Sequence, residues 1–178
     1  MIVRDTISAR IADRLEAPIK ITGALCGLCI LACVLLTFGV VVLRYGFGQA
    51  SIPMQELVLH LNAAAFLLGG AYALVRDRHV RVDILQQRWS PRTRAIVELA
   101  GIALLLVPFC LFLFWVSLDY VAAAWRLREG SREAGGLPGV YLVKALIPIS
   151  ALLLLIAGVA RALRSRDVLR RDHGKRDA

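Results

Sequence analysis

The sequence predicts an all-α integral membrane protein: four transmembrane helices, both termini in the cytoplasm, and an amphipathic helix on the membrane surface at the N-terminus. Three observations predict it. The 178 residues are 58% hydrophobic, with a mean hydropathy of +0.68, too apolar for a soluble domain of this length. The apolar residues gather into four runs, three of them close to the roughly 20 residues that a helix needs to cross a hydrocarbon core and a shorter fourth, 145–160, whose span starts near Leu137. The basic residues cluster at the ends of those runs, where membrane proteins carry their orientation signal. The net charge of +9 therefore does not point to nucleic acid, since no soluble fold presents a basic face.

Residues 1–18 repeat Ile7, Ile11 and Leu15 every four positions, with Arg10, Asp13, Arg14 and Glu16 between them. That pattern predicts a short helix lying on the cytoplasmic membrane surface, with Pro18 in the first turn of a new helix. The membrane domain then runs over 19–165, with spans at about 20–43, 56–75, 97–120 and 138–160. Residues 21–43 are uncharged, too long for a signal-peptide core and without a small-residue cleavage site before Arg44, so the first span is read as uncleaved. A turn rich in Gly, Ser and Pro follows. Ser51 is placed to cap the second span, Pro53 falls in its first turn and Glu56 sits where the helix dipole favours an anion. Arg44 leaves one span as Glu56 enters the next, which predicts their approach. Three roles stay open for Glu56: a local cap, a partner contact or a proton site.

Gly69 and Gly70 near the inner end of the second span permit a close helix contact. His60 and Asn62 sit in this span, and a polar contact to a neighbouring helix is favoured for His60 over a ligand role. The basic segment that follows has His79, Val80, Arg81, Val82 and Asp83 at its core, read as an amphipathic interfacial turn. His79 and Asp83 lack the further ligands that a metal would need. Ser90 and Pro91 mark the next helix start, and Pro108 at the centre of the third span predicts a kink. Trp115, Tyr120 and Trp125 fit an aromatic belt. Gly130 and Gly136 break the chain before the last span, in which Lys144 is placed to snorkel outward and Pro148 to bend the helix. Residues 166–178 form a basic cytoplasmic tail.

Seventeen Lys and Arg residues fall on the side of the termini and the middle loop, against five on the other. This bias places both termini in the cytoplasm. Cys26, Cys29, Cys33 and Cys110 all lie inside apolar runs, the first three on one helical face, as small packing residues would.

Soluble-enzyme chemistry is missing from the sequence: it holds no Gly-rich phosphate loop, no nucleophile elbow and no metal cluster. A haem-carrying bundle needs facing axial ligands, and His60 is the one histidine inside a span. A thiol–disulfide oxidoreductase needs exposed thiols. A self-sufficient carrier needs a charged or polar midplane site, and no formal charge lies there. A small helical subunit that packs against a larger protein remains, with an independent four-helix transporter or an unrelated accessory subunit as the alternatives.

The residues Arg44, Tyr45 and Phe47, the Glu56-Leu57 pair opening the second span, Gly70 with Tyr72, the exit His79-Val80-Arg81-Val82-Asp83, and Pro138 and Pro148 together resemble the DctQ-like family. These are the small membrane subunits of tripartite ATP-independent periplasmic (TRAP) transporters. The resemblance covers roughly residues 10–165; the basic tail has no counterpart in it, and Leu137-Pro138 stands where an aromatic is common. It implies two partners, a large multi-spanning permease subunit and a periplasmic solute-binding protein, in the bacterial inner membrane. Together they would import an organic acid, commonly on a sodium gradient. Sodium and substrate would bind the large subunit, which the small one braces, so no catalytic, cofactor or metal residue is expected here. Carried over by position, Arg44 and Glu56 become outer-surface structural or docking candidates. Gly70 becomes a packing candidate, and His79, Arg81 and Asp83 shape the inner turn.

Overall fold

The computed structural model describes residues 7–76 and 89–174. His79, Arg81 and Asp83, and with them the predicted interfacial turn, lie outside the described residues. Helix α1 covers Ile7–Gly46 and α2 covers Ile52–Val75. Helix α3 (Pro91–Gly101), a π-helical turn (Ile102–Leu106) and α4 (Val107–Arg126) follow one another without a break. Helix α5 covers Val140–Gly174. Four stretches are long and apolar enough to cross a membrane: Arg10–Gly46, Ile52–Val75, Pro91–Arg126 and Val140–Arg170. The first three predicted spans fall inside them, and the fourth, 138–160, overlaps the last stretch, which begins two residues later at Val140. Helix α1, with 40 residues, is about 60 Å long against a hydrocarbon core of roughly 30 Å.

Helix α5 is the common partner. It packs against α1, α2, α3, the π turn and α4, whereas α1 and α2 pack against each other and against α5. Its inward face carries Ser150, Ala151, Ala157, Ala160 and Ser165, all buried. Small side chains are what a contact inside a membrane needs. Lipid is as apolar as leucine, so helices associate through close packing rather than through escape from water. The core is correspondingly thin. Ile19, Ala71 and Ala157 form its centre, with Tyr72, Leu74, Val75, Leu153, Leu154 and Ile156 around them.

Two glycines set the closest approaches. A Cβ on Gly23 of α1 would lie 2.5 Å from Cδ2 and 2.7 Å from Cζ of Tyr72, so the aromatic ring of α2 rests on bare backbone. A Cβ on Gly158 of α5 would lie 2.5 Å from Leu106 Cδ2 in the π turn. Gly70, the sequence candidate, faces α5 at an ordinary distance, 3.8 Å from Leu154 Cδ2. The tight spot is thus Gly23 rather than Gly70. The cysteines pack as expected: Cys26 and Cys33 turn their thiols toward the carbonyls of Ala65 (3.4 Å) and Val58 (3.5 Å) on α2.

The structure differs from the sequence reading at several further places. Residues 7–18 do not form a separate surface helix but continue α1, with Pro18 inside it. The face buried along this part of α1 is Ala12 and Glu16, continued by Ile19, while Ile11 is 45% exposed. Glu16 is buried because it has a cation to meet, described below. Ser51 stands at the N-cap of α2 with its side chain making no cap bond, in contrast to Ser90, whose oxygen accepts from the Thr93 amide at 3.1 Å. At Pro108 the ring removes one helical donor. The preceding five residues widen into a π turn, which Val107 N–H closes onto the Ile102 carbonyl. His60 Nδ1–H donates to the carbonyl of Glu56 (2.6 Å) on its own helix rather than to a neighbour.

The Gly23 contact gives a first prediction. Gly23→Leu should displace the Tyr72 ring and destabilise the detergent-solubilised protein by about 1–3 kcal/mol, the usual cost of overpacking. Thermal unfolding should show it as a lowered midpoint, which Tyr72→Ala in the same chain partly restores.

Candidate functional site

Polar side chains gather into two knots, one at each end of the helices. The first lies at the end opposite the termini. Glu56, one turn into α2, reaches the 127–139 connection. One carboxylate oxygen accepts the Ser131 hydroxyl and the other accepts the Leu137 amide at 2.6 Å. The connection is built to receive it. Helix α4 stops where Arg128 takes a left-handed φ of 44°, and the Glu129 amide returns to the Ala124 carbonyl at 3.0 Å. An isolated bridge then joins Gly130 to Pro138, and the Ser131 amide donates to the Leu137 carbonyl at 3.1 Å. A Cβ on Gly136 would stand 2.7 Å from Glu56 Oε2, so only glycine leaves room for the carboxylate. Beside it, Lys144 of α5 pairs with Glu129 at 2.5 Å and lies 4.1 Å from the Tyr120 ring centroid. Lys144 is thus tied to two partners instead of snorkelling freely. Trp125 and Tyr141 meet edge to face at 4.9 Å. A cavity of about 600 Å³ opens between Gln55, Glu56, Tyr120, Glu129, Arg132 and Lys144.

The predicted approach of Arg44 to Glu56 does not occur. Arg44 is exposed at the end of α1, and both oxygens of Glu56 are engaged by the 127–139 connection. The three roles that the sequence left open for Glu56 narrow accordingly. It caps nothing on its own helix and instead staples α2 to the segment joining α4 and α5.

The second knot lies at the end that carries the termini. Arg161 of α5 pairs through Nε with Glu98 of α3 and donates through Nη1 to the Leu74 carbonyl at 2.7 Å. That carbonyl belongs to the last turn of α2, where helix acceptors have no intrahelical donor. Ser165 donates to the other Glu98 oxygen at 2.9 Å. Arg164 bridges to Asp13 (2.9 Å) and Glu16 (2.8 Å) of α1. One turn of α5 therefore ties α1, α2 and α3 together. A cavity of about 400 Å³ lies beside it, bordered by Trp89, Arg94, Glu98, Arg161 and Arg164. Sequence reasoning missed this knot. The available signal was a charge set directly against an apolar run: Glu98 before residues 99–118 and Arg161 after residues 145–160.

What the arrangement offers is mechanical. Among the described residues, no three His, Cys, Asp or Glu side chains converge as a metal site. No acidic or basic residue lies in the middle of any span. Both polar knots are clamps that fix how the helices sit against one another. The chain matches the family model described as "Tripartite ATP-independent periplasmic transporters, DctQ component" over residues 33–167, about three-quarters of its length. The chain belongs to the DctQ family. It matches no curated protein and no solved structure. DctQ is a family of transporter components and not of enzymes, and this DctQ chain is a small, multi-pass membrane subunit of a TRAP transporter.

The Arg161 clamp of the DctQ chain yields a second prediction. Arg161→Ala leaves Glu98 and the Leu74 carbonyl without the guanidinium, and stranding one partner of a mostly buried pair costs about 3–5 kcal/mol. The double variant Glu98→Gln with Arg161→Met should lose less than Arg161→Ala alone, because no charge is stranded. Thermal unfolding of the three proteins in one detergent checks this.

Proposed function

We propose that this DctQ chain is the scaffold for a large multi-spanning TRAP permease subunit in the bacterial inner membrane. The pair would carry out secondary active import of an organic acid, driven by sodium and delivered by a periplasmic solute-binding protein. The observation that carries the reading is the family match together with clamps at both ends of an otherwise uncharged helical frame. Such a frame is stiff and has no charged midplane site of its own, which suits a brace better than a carrier. Substrate and sodium belong, in this reading, to the partner subunit, and this chain binds no cofactor.

Both termini face the cytoplasm in this proposal, on the strength of the Lys and Arg bias. The Arg161 clamp then lies at the cytoplasmic surface and the Glu56 staple at the periplasmic one, where a binding protein docks. Arg44, exposed on the same surface, is available to that docking. His79, Arg81 and Asp83 would shape the cytoplasmic turn.

Two measurements test the reading. Purification of the tagged chain from gently solubilised membranes should recover a large permease component in stoichiometric amount. Recovery of the chain alone, with substrate uptake by it in liposomes, would overturn the scaffold in favour of an independent transporter. Glu56→Ala frees the 127–139 connection and should lower complex recovery or uptake severalfold while leaving the order of preference among substrates unchanged. A changed preference would place substrate contacts in this chain and count against a scaffold. Topology is checked separately, by a reporter fused after Arg171 that is expected to work only in the cytoplasm.

A further inference from the structure

The outward faces of the helices differ in one respect. On the π turn and α4 the exposed side chains at membrane depth include Leu105, Phe109, Phe112 and Trp115, and on α5 Leu142, Ile149, Leu152 and Val159; these suit lipid. The outward stripe of α2 reads Gln55, Leu59, Asn62 and Phe66, spaced four, three and four residues apart, so all four share one helical face. Leu59 is 66% exposed and Phe66 81%. Between them stands the chain's one asparagine, also exposed. It is within two residues of the middle of Ile52–Val75, which is roughly 2–3 Å along the helix axis.

An asparagine amide carries two donor hydrogens and an acceptor oxygen. None of the described residues hydrogen-bonds to the Asn62 side chain. Hydrocarbon offers nothing in return, so a lipid-facing amide at this depth is costly. Thr37, exposed on α1, is a different case, because a single hydroxyl can turn to the carbonyl one turn back in its own helix. An amide with three hydrogen-bonding positions has no such complete local solution.

We propose that Leu59, Asn62 and Phe66 form the seat of a transmembrane helix of the large permease subunit. That helix presents an uncharged hydrogen-bonding side chain to Asn62 and an apolar surface above and below it. The inference rests on the DctQ reading and adds which face does the docking. The partner segment is helical because a lipid-bordered backbone at this depth must satisfy its own hydrogen bonds. Its polar group is uncharged because a charge at the midplane would itself need neutralising. A second copy of this chain fits less well. Close self-association of membrane helices favours small residues at the contact, whereas this stripe projects Leu59 and Phe66 on either side of Asn62. The Glu56 staple, one turn before His60 on the same helix, holds the outer end of the seat in place.

The test places a photoreactive phenylalanine analogue at Leu59, Phe66 or Phe112 in the tagged chain, within membranes that contain its permease partner, and identifies adducts by mass spectrometry. Adducts between the large permease component and positions 59 and 66, with position 112 labelling lipid, are the expected result. Adducts from 59 and 66 to a second copy of this chain or to lipid alone, while the large component still co-purifies, would overturn the seat and leave the DctQ reading standing. Equal labelling of the large component from position 112 would also overturn it. Failure of the large component to co-purify at all would overturn both. In parallel, Asn62→Leu, which removes the amide at similar volume, should weaken retention of the large component roughly three- to tenfold, the range for one interhelical polar contact. Asn62→Gln should retain more than Asn62→Leu. Retention unchanged in Asn62→Leu would remove the amide from the interface.

Discussion

Everything in this fold depends on how closely other helices can approach α5. In a membrane, burying leucine against leucine gains little over leaving it in lipid, so helix contacts live on dispersion between closely packed atoms and on a few polar bonds. Helix α5 meets that requirement with Ala151, Ala157 and Ala160 turned inward, and with Gly158 bare beneath Leu106 of the π turn. Gly23 serves the same end between α1 and Tyr72 of α2. The result is a frame in which α5 stands between the α1–α2 pair and the continuous α3–α4 rod, with few large side chains wholly inside.

Packing of small residues fixes distance better than register, because alanines repeat along a helix and tolerate sliding. The polar clamps supply the register. Arg161 can reach Glu98 and the Leu74 carbonyl together only when α2, α3 and α5 stand at one relative height, and Arg164 adds α1 through Asp13 and Glu16. At the opposite end Glu56 locks α2 to the connection between α4 and α5. Both clamps sit where water can share the cost of burying charge, and the spans between them stay free of formal charge.

A frame clamped at both ends and uncharged between them bears load but has little with which to move a solute. This is consistent with a DctQ chain that works beside a larger permease component. The π turn before Pro108 belongs to the same logic: it reconciles a proline at mid-membrane with an unbroken rod, and it thrusts Leu106 onto Gly158.

The sequence by itself determined the class, the four spans, the small-residue character of the cysteine face and the family resemblance. These follow from composition and from runs of residues whose meaning is local: a run near twenty apolar residues crosses a bilayer whatever its neighbours do. The Ser90 cap and the break at Gly130 were legible for the same reason. Tertiary structure alone decided partners. Which oxygen meets which donor depends on helices far apart in the chain, so Glu56 turned to Ser131 and Leu137, 75 and 81 residues away, and not to nearby Arg44. Burial of Glu16 in a continuous α1 depended in the same way on Arg164 lying beside it, 148 positions on, which no local periodicity encodes.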